Sequence, residues 1–302
     1  MEKILELLYN RYKGELGKGK VADYIPALAD VNPNQYAISV CTIDGKKYNI
    51  GDYNTKFSIQ SISKIFTLAM ITPIVGDELW KCVGKEPSGT SFNSLVQLEY
   101  ERGIPRNPFI NAGALIVTDK LCTHKSNIKD ELLEYVRGLA GDSQINYNKT
   151  VTDCEYRTGE RNKALAHMMK SFGNFENKVA DVLRVYCSQC SIEMSTSQLA
   201  QATIFLANKG VNPLNGEQVV SSRWAKRINS LMLTCGLYDE SGDFAYRVGM
   251  PGKSGVGGGI VAVIPGKLSI AVWSPELNVY GNSYRGVSTL ADFTTELGIS
   301  VF

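Results

Sequence analysis

The sequence predicts an α/β protein, an antiparallel sheet flanked by helices with a helical domain inserted into it. Three observations carry this. Residues 36–42 and 47–50 alternate like two strands around an Asp44-Gly45 turn. Residues 260–264 and 268–273 are apolar, β-branched runs joined by Pro265-Gly266-Lys267. Between these hairpins, from 65 to 235, the pattern is mostly helical. The two strand sets can pair into one antiparallel sheet with the terminal helices on one face. Residues 1–64 and 236–302 then form an α/β sandwich, and 65–235 an inserted helical domain. The cleft between them is a natural ligand site.

The elements follow in order. Residues 1–13 read as an amphipathic helix with Ile4, Leu7, Leu8 and Tyr12 on one face. Gly14-x-x-Gly17-Lys18-Gly19-Lys20 ends it. No Ser or Thr follows a Gly-Lys pair there, so this is a flexible basic loop and not a phosphate-binding loop. Ala22–Pro26 starts a further loop or short helix. Phe57–Gln60 reads as a third extended piece leading straight into a helix at Ser61. Helices are expected over 61–71, 111–122, 127–139, 160–172, 175–190, 196–208 and 221–235, and a last one over 286–298. Asn208–Gly216 is a turn-rich connection.

Composition bounds the function. The chain has 302 residues, 44% hydrophobic and 21% charged, enough to bury a sizeable core. With 32 basic and 30 acidic residues the net charge is +2, which gives no reason to expect nucleic acid or a membrane surface as partner. The longest apolar run, Ile65–Val75, is interrupted by Thr67, Thr72 and Pro73 and falls short of the roughly 20 residues a membrane helix needs. The N-terminus lacks an apolar signal region, so a cytoplasmic protein is expected. Seven scattered cysteines suggest reduced, buried thiols. Cys187-x-x-Cys190 has no second pair to complete a zinc site, and no metal is expected.

The chemistry centres on Phe57–Phe66, which holds Ser61-x-x-Lys64. Residues three apart on a helix share a face. A serine needs a base to become a good nucleophile, and a lysine serves when burial depresses its pKa. Spacing alone is not decisive, because Ser126-x-x-Lys129 repeats it; there Ser126 reads as a helix N-cap before acidic first-turn residues. Only two histidines occur, His124 and His167, so a serine hydrolase here would more readily use Lys or Tyr as base.

Downstream, Lys253-Ser254-Gly255-Val256-Gly257-Gly258-Gly259 precedes a strand, and its small residues would let backbone approach a ligand closely. Ser-x-x-Lys on an early helix with Lys-Ser-Gly at the start of a late strand is the layout of penicillin-binding proteins and class A β-lactamases. Asn111 stands at a helix start, where it either caps or binds. Glu155 and Asn162 are seven apart, two turns along one face if 155–162 is helical. They form either a surface stripe or a clamp for an amino-acid zwitterion, carboxylate to ammonium and amide to carboxylate.

Four segments in register, DYIP at 23–26, FSIQSISKIF at 57–66, NPFINAGA at 107–114 and KSGVGGG at 253–259, resemble the serine-dependent glutaminase family. The likeness runs from about Tyr24 to Trp273. It implies a β-lactamase-like α/β sandwich beside a helical domain, in the compact bacterial form without ankyrin repeats or leader. It implies hydrolysis of L-glutamine to glutamate and ammonia, with no cofactor, by a homodimer or homotetramer. Carried over by motif, Ser61 is the nucleophile and Lys64 its base. Tyr24, Asn111, Glu155, Asn162 and Tyr186 line the glutamine pocket, and Tyr238 and Val256 lie beside the reacting carbonyl. Charge assigns Glu155 to the substrate ammonium. No arginine stands out for the α-carboxylate, which falls to Asn111 and Tyr186. The backbone N–H groups of Ser61 and Val256 would form the oxyanion hole, and Tyr238 or the Ser61–Lys64 pair would return a proton to the departing ammonia. Two other readings fit the scaffold: a penicillin-recognising hydrolase or esterase, and a non-catalytic amino-acid-binding protein.

Overall fold

The computed structural model describes residues 1–89 and 93–302. The chain opens with α1 (Glu2–Tyr12), β1 (Lys20–Val21) and α2 (Pro26–Ala29), then the hairpin β2 (Ala37–Thr42) and β3 (Lys47–Gly51), then β4 (Phe57–Ser58). Helices α3 (Ser63–Val75), α4 (Leu95–Tyr100), α5 (Asn111–His124) and α6 (Ile128–Ala140) follow. Next come β5 (Asn146–Tyr147), α7 (Lys149–Thr158), α8 (Glu160–Ser171), α9 (Val179–Cys190), β6 (Ile192–Met194), α10 (Thr196–Ala207) and α11 (Ser222–Cys235). The chain closes with α12 (Ser241–Val248), β7 (Gly252–Gly255), β8 (Gly259–Ile264), β9 (Leu268–Trp273), β10 (Glu276–Leu277) and α13 (Tyr284–Leu297).

The main sheet has the order β3-β2-β9-β8-β7 and is antiparallel throughout. The two hairpins join through β2 and β9, where Val40 faces Ile270. Side chains alternate across the pleat. Ile38, Val40, Ile260, Ala262, Ile270 and Val272 point into a core shared with α1, α12 and α13. Val261, Val263, Ala271 and Trp273 point the other way, into a larger core with α10 and the other helices. Two serines on that second face find partners on α10: Ser39 meets Thr196 at 2.8 Å, and Ser269 donates to Ala200 O. A hydroxyl there avoids the cost of a buried unpaired polar group.

Several local expectations change. On α1 the buried face is Leu5 and Leu8, while Leu7 is 44% exposed. Phe57–Ser58 is a strand, but it pairs with β6 in a separate small sheet and not with the main one. Gln60 then takes φ +50, Gln60–Ile62 forms a 3-10 turn, and the α-helix begins only at Ser63. A non-glycine residue in the left-handed region breaks any regular run into the helix. Ser126 is not an N-cap; Asn127 holds that position and makes no side-chain cap. Residues 155–162 are not one helix, because Gly159 separates α7 from α8. A Cβ at Gly159 would lie 2.7 Å from Glu155 O, so only glycine fits the break. Lys253-Ser254-Gly255 does not lead into the strand at 260–264 but lies in a strand of its own, Gly252–Gly255, at the edge of the main sheet.

Candidate active site

The backbone frame is set by contact between two segments. A Cβ at Gly255 would stand 2.4 Å from Ile59 O, and one at Gly257 would stand 2.2 Å from Ser58 O. The glycines therefore let β7 and its turn lie directly on the chain that leads into Ser61. This corrects the expectation that the gap serves a ligand: neighbouring backbone fills it. Val256, between the two glycines, is carried to the same pocket as Ser61. Ser61 sits in the 3-10 turn just ahead of α3, at the positive end of that helix.

Lys64 lies in the first turn of α3 and is 1% exposed. Its Nζ donates to Asn111 Oδ1 at 2.7 Å and to Phe109 O at 3.1 Å. Burial pushes its pKa down to about 8, against the opposing pull of Cys190 and Glu155. The rings of Tyr238 and Tyr186 flank it, with centroids 5.8 and 6.0 Å from Nζ.

Tyr238 opens a 3-10 turn (Tyr238–Glu240) with φ +56, a second strained non-glycine at the site after Gln60. Burial raises its pKa, the Ser61 side chain pulls it the other way, and the two residues line one pocket. Beneath its ring, 4.3 Å from the centroid, is Nζ of Lys253. Lys253 is fully buried and donates to Ser254 O at 2.7 Å and Gly236 O at 2.9 Å. Burial first, and then the nearby Lys64, lower its pKa well below that of an exposed lysine.

The opposite wall is polar. The Glu155 carboxylate accepts from Tyr24 OH at 2.6 Å; burial raises its pKa, and Tyr24, Gln60 and Lys64 pull it the other way. Asn111 is a hub: its Oδ1 also accepts from Tyr186 OH at 3.2 Å, and its Nδ2 donates to Asn162 Oδ1 at 3.1 Å. Together these groups line a cavity of about 380 Å³, a size suited to a small molecule. It gathers every residue expected from the sequence except Lys64, which lies behind Ser61. Glu155 and Asn162 converge there from two helices and not from one face.

Four residues at or beside the pocket were missed. Gln60 looked like ordinary strand. Lys253 was visible only as part of a glycine motif. Cys190 lines the pocket, its pKa pushed up to about 12 by burial, and sequence gave it no role beyond a buried thiol. Arg161 also lines the pocket, donating to Asn93 O at 3.3 Å, although no arginine had stood out. Among the described residues no group of three or more His, Cys, Asp or Glu side chains could hold a metal ion.

A small polar pocket beside a serine and a buried lysine, at the edge of an antiparallel α/β sheet, has the makings of a hydrolase site. The chain belongs to the glutaminase family, whose model matches residues 19–302. It is 56% identical over 301 residues to a glutaminase of Agrobacterium fabrum, covering 99% of this chain and 97% of that one. A glutaminase of Aliarcobacter butzleri is 52% identical over 300 residues, covering 99% and 98%. The fold matches a solved probable glutaminase, ybaS, with a TM-score of 0.95 and 37% identity over 100% of this chain and 97% of that one. A Bacillus glutaminase crystallised in 4.3 M NaCl matches with a TM-score of 0.90 and 33% identity, covering 99% and 100%. These relatives do not favour a penicillin-recognising enzyme or a non-catalytic binding protein.

Proposed function

We propose that Ser61 is the nucleophile with which this glutaminase hydrolyses L-glutamine to L-glutamate and ammonia, and that Lys64 is its base. The observation that carries the reading is Lys64 itself, buried one turn from Ser61 with its pKa brought down to about 8. A neutral amine has two N–H donors and one lone pair. Phe109 O and Asn111 Oδ1 take the two donors, which leaves the lone pair for the Ser61 proton.

Ser61 Oγ attacks the side-chain amide carbon as its proton passes to Lys64. The backbone N–H groups of Ser61 and Val256 receive the oxyanion; one such donor is typically worth about 3–4 kcal/mol of barrier. The C–N bond then breaks. The proton held by Lys64 returns to the departing nitrogen through the Tyr238 hydroxyl or the Ser61–Lys64 pair, and ammonia leaves. Lys64 next takes a proton from water as it attacks the acyl carbon, and Ser61 recovers the proton as glutamate departs.

Glu155, with the Tyr24 hydroxyl bonded to it, meets the substrate ammonium. Tyr186 already donates to Asn111 Oδ1, so the remaining Asn111 Nδ2 proton and the Asn162 amide are the better donors to the α-carboxylate. No cofactor enters this scheme. The organisation we infer is an α/β sandwich of 1–64 and 236–302 with 65–235 inserted, the site lying between them. The family likeness supports a homodimer or homotetramer, and the seven free cysteines fit a reducing, cytoplasmic setting. Ammonia release from glutamine by purified Ser61→Ala tests the nucleophile: turnover should vanish into background, and wild-type turnover would sink the assignment.

A further inference from the structure

Tyr238 holds a conformation that a tyrosine does not choose freely. Its φ of +56 is strained for a residue with a side chain and persists only where the surroundings over-determine it. The residue two places on shows what does so. Glu240 is 4% exposed, and no basic side chain pairs with it among the described residues. It stands at the N-cap of α12 yet makes no side-chain cap to that helix. Its carboxylate turns away instead. Asn278 Nδ2 donates to Oε1 and Oε2 at 2.9 Å each, and Asn282 Nδ2 donates to Oε2 at 2.6 Å. The same Asn282 Nδ2 reaches Leu237 O at 3.3 Å, on the other side of Tyr238. Ser241 closes the turn, donating to Tyr238 O at 2.9 Å and accepting from Leu237 N at 3.0 Å.

A carboxylate buried on amide donors alone is a costly way to join two loops, since removing a charge from water needs compensation. The asparagines are themselves fixed by their loop: Asn278 N donates to Asn282 O at 2.8 Å, and Asn278 Oδ1 accepts from Tyr280 N and Asn282 N. The knot thus ties the Tyr238 turn to an internally hydrogen-bonded loop, on both sides of the strained residue. We infer that Glu240, held by Asn278 and Asn282, is a positioning residue that fixes the Tyr238 side chain in the pocket it shares with Ser61. This rests on the reading of Tyr238 as a participant in glutamine hydrolysis.

The test is a double-mutant cycle on kcat, with KM and thermal melting followed in each variant. Glu240→Gln removes one acceptor and sets an NH2 against the amide donors. It should lower kcat by up to about 100-fold, as misplacement of a reacting group can, with KM nearly unchanged. Combined with Tyr238→Phe, where no hydroxyl remains to be placed, the same substitution should cost no more than about two-fold. If Glu240→Gln does not yield folded protein, Asn278→Ala, at a half-buried site, takes its place in the cycle. Folded Glu240→Gln with wild-type kcat overturns the proposal, as does an undiminished loss in the Tyr238→Phe background, which would mark a general structural role. Wild-type kcat in Tyr238→Phe alone would instead remove the reading of Tyr238, and this proposal with it.

Discussion

Burial leaves Lys64 with two hydrogen-bond acceptors and no ion pair among the described residues, and the sign of its pH effects follows. Protonated Lys64 cannot accept the Ser61 proton, so kcat/KM should fall as pH drops below about 8 and level off above it. A pH profile flat from 6 to 9 would contradict this. Stability moves the same way. The folded protein releases this proton near 8, the unfolded chain near 10.5, so between those values the unfolded state binds more protons and stability rises with pH. Below about 8 the full penalty, roughly 3 kcal/mol, applies. Lys64→Met should therefore be inactive yet melt higher than wild type at pH 7; a lower melting temperature would show that its two hydrogen bonds outweigh its burial. Glu155 makes a separate residue-scale prediction. Glu155→Gln keeps the acceptor for Tyr24 but loses the charge that meets an ammonium, so KM for glutamine should rise at least tenfold while the melting temperature holds within a few degrees. An equal KM in the variant would place the ammonium elsewhere. Chemistry at this scale was partly legible. Scarce histidine pointed to a lysine base, but nothing in the sequence showed Lys253 under Tyr238 or Gln60 against Glu155, because those contacts join residues far apart in the chain or depend on a strained φ.

At the scale of elements, the site depends on how closely β7 lies on the chain before α3. Gly257→Ala would press a Cβ to 2.2 Å from Ser58 O, which is backbone and cannot swing aside. The turn bearing Val256 must then move, and ammonia release should fall by at least tenfold, with a stability loss of about 1–3 kcal/mol. Gly138→Ala is the matched control. Gly138 lies inside α6 with open space around it, and alanine there should stabilise by roughly 0.5–1 kcal/mol without touching turnover. Equal turnover in both variants would mean that the glycine contact does not set the oxyanion wall. Periodicity placed most of the longer helices and both hairpins well, since each buries one regular face. It failed where tertiary contact overrides period: at Gly159, which splits what looked like one face, and at Gln60, where the expected strand-to-helix run is broken.

Across the whole molecule, the sheet separates two cores, and the terminal helices close one of them. Arg285, fully buried on α13, donates to the carbonyls of Lys13, Pro33 and Gln35 and so binds the N-terminal stretch to the C-terminal helix. A buried arginine on backbone acceptors has no sequence signature, whereas the pairing of two distant hairpins was legible from one alternating and one continuously apolar, β-branched pair of runs. The site lies where the larger core meets the edge strand β7, so Ser61 from one side and Val256 from the other reach the same pocket. The claim that this pocket works through a covalent intermediate is tested most directly by rapid quenching of the enzyme with glutamine, followed by intact and peptide mass analysis. The account predicts a glutamyl ester on the peptide carrying Ser61, absent in Ser61→Ala and lasting longer when deacylation is slowed at low pH. Full ammonia release with no adduct at any quench time, and with Ser61→Ala still active, would contradict it.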